Sequence, residues 1–315
     1  MQKLLNRIIC GDCIDVLSKV HKPFADLIFA DPPFNIGYKY DKYHDKVKTK
    51  NYIAWTKDWM TACKKVLKPD GSFYIAIGDE YAANVKIIAD ELGLFMRNWL
   101  IWHYTFGQQM KKKFARSHTH IFYFVNDKKS FTFNDHAVRI PSDRQLYYND
   151  KRANPAGKMP DDVWNGYSRV CGTFKERAGW HPCQMPENLL KRIIAVSSNP
   201  KDCVLDPFSG SGTTAAAAYQ LGRNYVGVEI SQSYVEKAKK RLAELKDQKH
   251  SNLFLNHTEL SELKRLLPDM ESPAKEIAAD KNLLELFANQ FAVRMNNQKR
   301  YSSEEIAAAL EDLAD

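Results

Sequence analysis

The sequence predicts a doubly wound α/β domain with a mostly parallel sheet, a loop-rich insertion and a helical C-terminal extension. Three observations carry that expectation. Short apolar runs alternate with segments of helical apolar spacing through about residue 245, and strands that alternate with helices pair in parallel and are covered on both faces. Between Asn126 and Gly179 the periodicity fades into a stretch rich in Asn, Asp, Pro, Gly, Arg and aromatic residues. After His250 the chain turns acidic and helical.

In chain order, LLNRIIC reads as a strand, GDCIDVLSKV as a turn and helix, and ADLIFA, ending at Asp31, as a buried strand. Helical spacing over residues 51 to 67, a KPDG turn at 68 to 71 and the strand SFYIAIG at 72 to 78 repeat the unit. A helix at about 80 to 92 and strands at 97 to 104 and 119 to 125 complete this half. Regular structure resumes with a helix at 186 to 198, the strand CVLD, a glycine loop, the helix TTAAAAYQLG, the strand NYVGVEI and a helix through about Leu245. Further helices are expected at 282 to 293 and from a capped start at 302 to 306. The boundaries so drawn are 1–125, 126–179, 180–248 and 249–315.

The chain's 315 residues suffice for a sizeable core, and no run approaches the roughly 18 apolar residues of a membrane span. Arg7 interrupts the only apolar stretch near the N-terminus, so no export signal is expected and the six cysteines are read as reduced cytoplasmic thiols. The net charge of +8 is uneven: residues 251 to 315 carry −5 and the first 250 carry +13. A basic body suits a polyanionic partner.

Two loops carry chemistry. CVLD runs into DPFSGSGTT, where Gly210 and Gly212 allow a tight turn and close ligand approach before a helix N-terminus. Glu229, 23 residues beyond Asp206 at the end of the next strand, stands where a ribose-binding acid belongs. A nucleoside-containing cofactor follows, although a glycine loop by itself is also a common structural turn. Asp206 opposes a pyrophosphate and favours a cationic cofactor such as S-adenosylmethionine. The second loop is DPPF. Its two prolines stiffen the strand exit, so that the Asp31 carboxylate and the Pro32 carbonyl form a pair of acceptors for an NH2 group on a flat ring, with Pro33 fixing the turn and Phe34 placed to stack.

These motifs resemble the DNA amino-methyltransferases that modify adenine N6 or cytosine N4. DPPF looks like their catalytic motif and DPFSGSGTT like their cofactor motif, in an order similar to the family's beta group. GDCIDVL, VGVEIS and HPCQMPENLL resemble further family segments, with Met185 where the family usually has lysine. The resemblance spans about residues 4 to 245 and implies a fold of the S-adenosylmethionine-dependent methyltransferase type. It also implies cofactor-binding roles for Asp12, His181, Gln184, Asp206, Phe208, Ser209, Gly210, Gly212, Thr213 and Glu229. The family's aspartate at the first catalytic position goes mostly with adenine, so Asp31 favours N6 methylation of a flipped-out base.

Double-stranded DNA is the expected partner. YKYDKYHDKVKTK at 38 to 50 interleaves tyrosines and lysines, GQQMKKKFARS at 107 to 117 is basic, and residues 107 to 178 carry +7. Tyr38, Lys39, Lys111, Lys112, Lys113 and Arg116 are candidate phosphate contacts, and Arg139, Arg144, Arg152 and Arg169 candidate readers within a target-recognition insertion at 126 to 179. The acidic extension suits packing against the body or a second subunit in a homodimer. Cys10 and Cys13 form a C-x-x-C without a second pair, so no metal site is expected. Other readings are a cytosine-N4 methyltransferase, a DNA-binding module with lapsed catalysis, and a nicotinamide-dependent oxidoreductase using the G-x-G-x-x-A spacing.

Overall fold

The computed structural model describes residues 4–108, 110–148, 150–172, 174, 176–247, 255–296 and 301–314. Strand β1 (Arg7–Cys10) leads through α1 (Cys13–Ser18) to β2 (Ala25–Ala30), and α2 (Thr49–Val66) leads to β3 (Leu67–Ile77). After α3 (Ala82–Glu91) come β4 (Phe95–Gln108) and β5 (Arg116–Val125). The insertion contributes the 3-10 turn Asp135–Val138, α4 (Asp143–Leu146) and β6 (Val163–Trp164). Then follow α5 (Glu187–Ser197), β7 (Cys203–Asp206), α6 (Thr213–Gln220), β8 (Asn224–Glu229) and α7 (Gln232–Asp247). The extension holds α8 (His257–Leu266), the 3-10 turn Leu267–Met270, α9 (Ala274–Ala279), α10 (Lys281–Arg294) and α11 (Ser303–Ala314).

The strands form one sheet in the order β1-β8-β7-β2-β3-β5-β4-β6. Only β5 runs antiparallel to its neighbours; every other pairing is parallel. Alternate residues feed two cores, as a sheet covered on both faces requires. Leu27 and Phe29 face one core with α5, α6 and α7, while Ile28 and Ala30 face the other with α1, α2 and α3. The spacing of Tyr52, Thr56, Trp59, Met60, Cys63 and Val66 gives α2 a single buried stripe. The alanines at 215 to 218 are all buried, so α6 packs closely on the sheet.

Two expectations are corrected. Lys68 to Gly71, read as a turn, is incorporated into β3 as an irregularity, with pairing passing from Ala25↔Leu67 to Leu27↔Ser72. The Lys68 ammonium sits 2.7 Å from the Asp26 carboxylate, anchoring it. The insertion, read as lacking sheet structure, supplies the edge strand β6, in register Ile101↔Val163 and Trp102↔Trp164. A two-residue strand is too short to show a period of two in sequence. The expected boundary at 248 and 249 lies outside the described residues.

Strands β2 and β7 are neighbours, yet the chain winds from β2 outward to β3 and from β7 the other way to β8. Such a reversal opens a crevice at the carboxyl ends of the strands, where open α/β sheets bind ligands. Both motif loops emerge there.

Candidate active site

The loop after β7 is organised by its own acid. Asp206 accepts from Phe208 N at 2.9 Å and from the Thr214 hydroxyl at 2.5 Å, joining strand, loop and α6. Gly212 caps α6 at φ 75°, a left-handed conformation that favours glycine. At Gly210, φ 45°, a Cβ would lie 2.8 Å from the His181 ring, so the backbone passes directly against this histidine. Glu229 receives Gly210 N at 2.9 Å and Ser231 N at 2.8 Å, which holds its carboxylate against the loop. The loop after β2 is fixed from outside: the Tyr52 hydroxyl donates to the Pro33 carbonyl at 2.6 Å, and Gly78 lies against the Phe34 ring.

Two cavities meet between these loops. The first is lined by Asp12, Asp31, Asp206, the loop Phe208–Ser211, Thr213, Glu229 and His181. The second, open to solvent, is lined by Asp31, Pro32, Phe34, Tyr38, Lys39, Trp102, Tyr104, Arg116 and Arg169. Asp31, Tyr40, Cys183 and Met185 line both. A ligand in the first cavity and a ring in the second would therefore both lie against Asp31.

The first cavity is electrostatically unsatisfied. Burial, reinforced by the neighbouring Asp206, pushes the Asp31 carboxyl up to about 8. Burial raises Asp206 to about 7 against the hydrogen bonds from Thr214 and Phe208, and raises Glu229 despite its backbone amides. Burial also lowers His181 to about 4, leaving a neutral ring near neutral pH. Five carboxylates, Asp12, Asp31, Asp41, Asp206 and Glu229, line this cavity against the single cation Lys42. Such a pocket favours a cationic ligand and opposes phosphates.

Most of the expected cofactor residues come together here, some with structural duties as well. Asp12 caps α1 through Ile14 N at 2.7 Å, and Thr213 accepts from Arg241 at 3.0 Å. Phe208 wedges edge-on against Trp59, and the buried Ser209 hydroxyl has no hydrogen-bond partner among the described residues. Gln184 stands elsewhere: it lines the second cavity, and its amide is bound by Ala178 N and the Glu176 carbonyl.

The expected DNA residues divide. Tyr38, Lys39, Arg116 and Arg169 line the second cavity, with Arg116 paired to Asp79 at 2.8 Å and Arg169 over the Tyr104 ring. Lys111 to Lys113 are exposed on the β4–β5 connection, whose Gln109 lies outside the described residues. Arg144 is exposed, and Arg152 is exposed while chelating Asp150. Arg139 is engaged within the insertion: its guanidinium pairs with Asp135 at 2.8 Å and donates to the Gly157 carbonyl.

The basic, tyrosine-rich run also splits. Tyr40, Asp41, Lys42 and Tyr43 wall the first cavity. Asp45, almost fully buried, accepts from Asn35 N at 2.7 Å, Ile36 N at 3.3 Å and Tyr38 N at 2.9 Å, curling the chain after DPPF, and the Ser231 hydroxyl reaches Asp41 at 2.5 Å across the crevice. The sequence signal for this strap is an acid at an interval of ten residues from Asn35, too common a spacing to single out.

Fold and site define an α/β enzyme with an acidic ligand pocket at the sheet's switch point, beside a buried carboxyl that also lines a second cavity. The chain belongs to the DNA methylase family of N6/N4 methyltransferases, whose model matches residues 25–240, and it is a DNA methyltransferase. It is 38% identical to type II methyltransferase M.HpaI of Haemophilus parainfluenzae over 75% of this chain and 74% of that protein. It is likewise 38% identical to DNA adenine methyltransferase YhdJ of Escherichia coli (strain K12), over 75% and 82%. Among solved structures, the fold is similar to an M1.HpyAVI–SAM complex (TM-score 0.54, 23% identity, 75% of this chain and 98% of that one). It is also similar to PvuII DNA methyltransferase, described as cytosine-N4-specific (TM-score 0.58, 17% identity, 84% and 92%).

Proposed function

We propose that this enzyme transfers a methyl group from S-adenosylmethionine to the N6 amine of an adenine flipped out of double-stranded DNA. The observation that carries the reading is the position of Asp31 in the wall common to both cavities. S-adenosylmethionine supplies, when bound, a methyl group on a sulfonium. The residues present fit it: Asp206 and Glu229 offer carboxylates to an ammonium and to ribose hydroxyls, glycine at 210 lets the loop backbone pack against His181 in the cavity wall, and the acid-rich lining suits a cation.

An exocyclic amine is a weak nucleophile because its lone pair is delocalised into the ring. Asp31 and the Pro32 carbonyl, on a loop held by Tyr52, accept its two hydrogens and aim the lone pair toward the first cavity. As the new N–C bond forms and the S–C bond breaks, the surplus proton on nitrogen passes to Asp31. Burial makes the Asp31 anion a stronger base than a free carboxylate, and a cationic cofactor beside it favours that anion over the protonated form. Phe34 and Tyr38 offer faces for the extruded ring, whose extraction from the duplex costs a few kcal/mol. Arg116, Arg169 and the Lys111–Lys113 loop supply phosphate contacts, and residues 126–179 supply target recognition.

Adenine is supported by the aspartate at the head of DPPF and by the likeness to an adenine methyltransferase over most of both chains. Incubating the protein with S-adenosylmethionine and bacterial genomic DNA, then digesting to nucleosides for mass analysis, tests the reading. N6-methyladenine is the expected product; N4-methylcytosine would reassign the base, and no methylated nucleoside would refute the activity.

A further inference from the structure

Helices α8 to α11 have a core of their own, built on Leu263, Leu266, Ile277, Phe287, Phe291, Ile306 and Leu310. Their junction with the rest of the chain is nevertheless ionic and buried. Asp269 lies 2.7 Å from Arg192 of α5 and 2.5 Å from Arg294, and Glu262 lies 2.7 Å from Arg265 and 3.4 Å from Arg294. The three arginines are at most 4% exposed.

This network reaches the insertion by two routes. Side chains of the extension satisfy its backbone carbonyls: Arg265 donates to Ala137, Arg294 to Arg139 at 2.8 Å, Gln290 to Arg139 at 3.0 Å, and Asn289 to Pro155 at 2.7 Å. At Gly157 the approach is so close that a Cβ would lie 2.6 Å from the Gln290 side-chain oxygen Oε1. The other route runs through Arg192, whose guanidinium covers the Tyr167 ring at 5.0 Å and the Trp164 ring at 5.5 Å. Trp102, paired with Trp164 in the sheet, donates to the Tyr167 carbonyl at 2.6 Å and forms part of the wall of the second cavity, beside Tyr104 and Arg169.

We infer that helices α8 to α11 are a positioning element for the recognition insertion: through Asp269 and Arg192 they set the shape of the second cavity, and so govern productive DNA binding, without themselves lying on DNA. The inference rests on the second cavity being the DNA cleft. It assigns the extension a role that its negative charge makes unsuitable for phosphate contact.

The test is steady-state methylation of a double-stranded oligonucleotide containing a site that the wild-type enzyme modifies. Asp269→Asn leaves Arg192 and Arg294 without their shared counter-charge and should raise KM for DNA on the order of tenfold, with kcat and S-adenosylmethionine affinity within about twofold. Arg192→Lys keeps the ion pair but loses the flat guanidinium over the two rings, and should give an intermediate KM. Ile306→Ala, in the extension's core and remote from the insertion, should lower the melting temperature while leaving KM for DNA unchanged. Equal KM increases in Ile306→Ala and Asp269→Asn, an unchanged KM in Asp269→Asn and Arg192→Lys, or a parallel loss of cofactor affinity would overturn the inference. Absence of methylation by the wild type would instead refute the underlying activity.

Discussion

Asp31 and Asp206 at the crevice and Asp269 at the junction with the extension are buried acids shifted in opposite directions. Burial pushes Asp31 up to about 8 and Asp206 up to about 7 at the crevice. At the junction with the extension, burial acts on Asp269 in the same sense, yet Arg192 and Arg294 outweigh it and hold its carboxyl below the usual range. Desolvation alone therefore does not distinguish the two places. The difference is whether the chain supplies the counter-charge: the junction contains its own cations, whereas the crevice presents acids whose positive partner has to be brought to it. A network whose acids find their cations within the chain is structural, and a cluster of acids without them is a binding site.

The comparison breaks most sharply at Asp31. Asp31→Ala should reduce methyl transfer by about 100-fold to 10000-fold, the range for losing a positioned proton acceptor, while S-adenosylmethionine binding measured by calorimetry persists. Activity within tenfold of wild type would remove Asp31 from the chemistry. Its raised folded-state pKa also has a stability consequence with a definite sign. The destabilisation is absent below the usual carboxylate range, grows as pH rises, and is complete above about 8. Asp31→Asn should therefore melt above wild type at pH 8.5, with the gap closing toward pH 5.

At the compensated site the sign reverses. The lowered folded-state pKa of Asp269 contributes stability that is present above the usual carboxylate range and is lost as pH falls through the lowered value. Asp269→Asn should destabilise the fold by about 3 to 5 kcal/mol, the range for breaking one side of a buried ionic cluster, read by urea denaturation at pH 7. A loss under 1 kcal/mol would mean that water, rather than Asp269, solvates these arginines.

Intermediate effects are expected in the cofactor pocket. Asp206→Ala and Glu229→Ala should each weaken S-adenosylmethionine binding by about 1.5 to 3 kcal/mol, as for a charge-assisted hydrogen bond. Because Asp206 holds its proton up to about 7, affinity should strengthen between pH 6 and 8 in the wild type and do so less in Asp206→Ala. A flat calorimetric profile for both proteins would place the cofactor's charge elsewhere.

What was legible in sequence follows the same division. DPPF and DPFSGSGTT each sit on a continuous strand-loop-helix unit, so local constraints sufficed to mark Asp31, Asp206 and the glycines, and strand-helix alternation sufficed for the parallel sheet. The strap and the junction are different in kind. Asp45 acts on amides seven to ten residues away, Ser231 bonds Asp41 across 190 residues, and Arg192 meets Asp269 across 77. Partnerships of that span are made by the tertiary fold and leave no period in the chain. For that reason Arg139 read as a candidate base reader with no sign of its engagement within the insertion, and YKYDKYHDKVKTK read as one DNA-contacting run although it serves both cavities.

The smallest effect concerns charges that neither cavity uses. Lys111, Lys112 and Lys113 are exposed beside Phe114, which is 99% exposed, on the connection that leads into Arg116 at the cleft. Lysines so placed have no desolvation to overcome and contribute by releasing counterions from the phosphates they approach. Replacing all three with alanine should weaken DNA binding at every sequence alike and flatten the slope of log affinity against log salt by up to about three. Fluorescence anisotropy on a methylatable duplex and on a scrambled one, across a salt series, separates the alternatives. A uniform loss with a flattened slope places the loop on the backbone, in the screened and uncompensated manner of surface charge. A loss confined to the methylatable duplex, with the slope unchanged, would put these side chains in a groove and move part of target reading from the insertion to the β4–β5 connection.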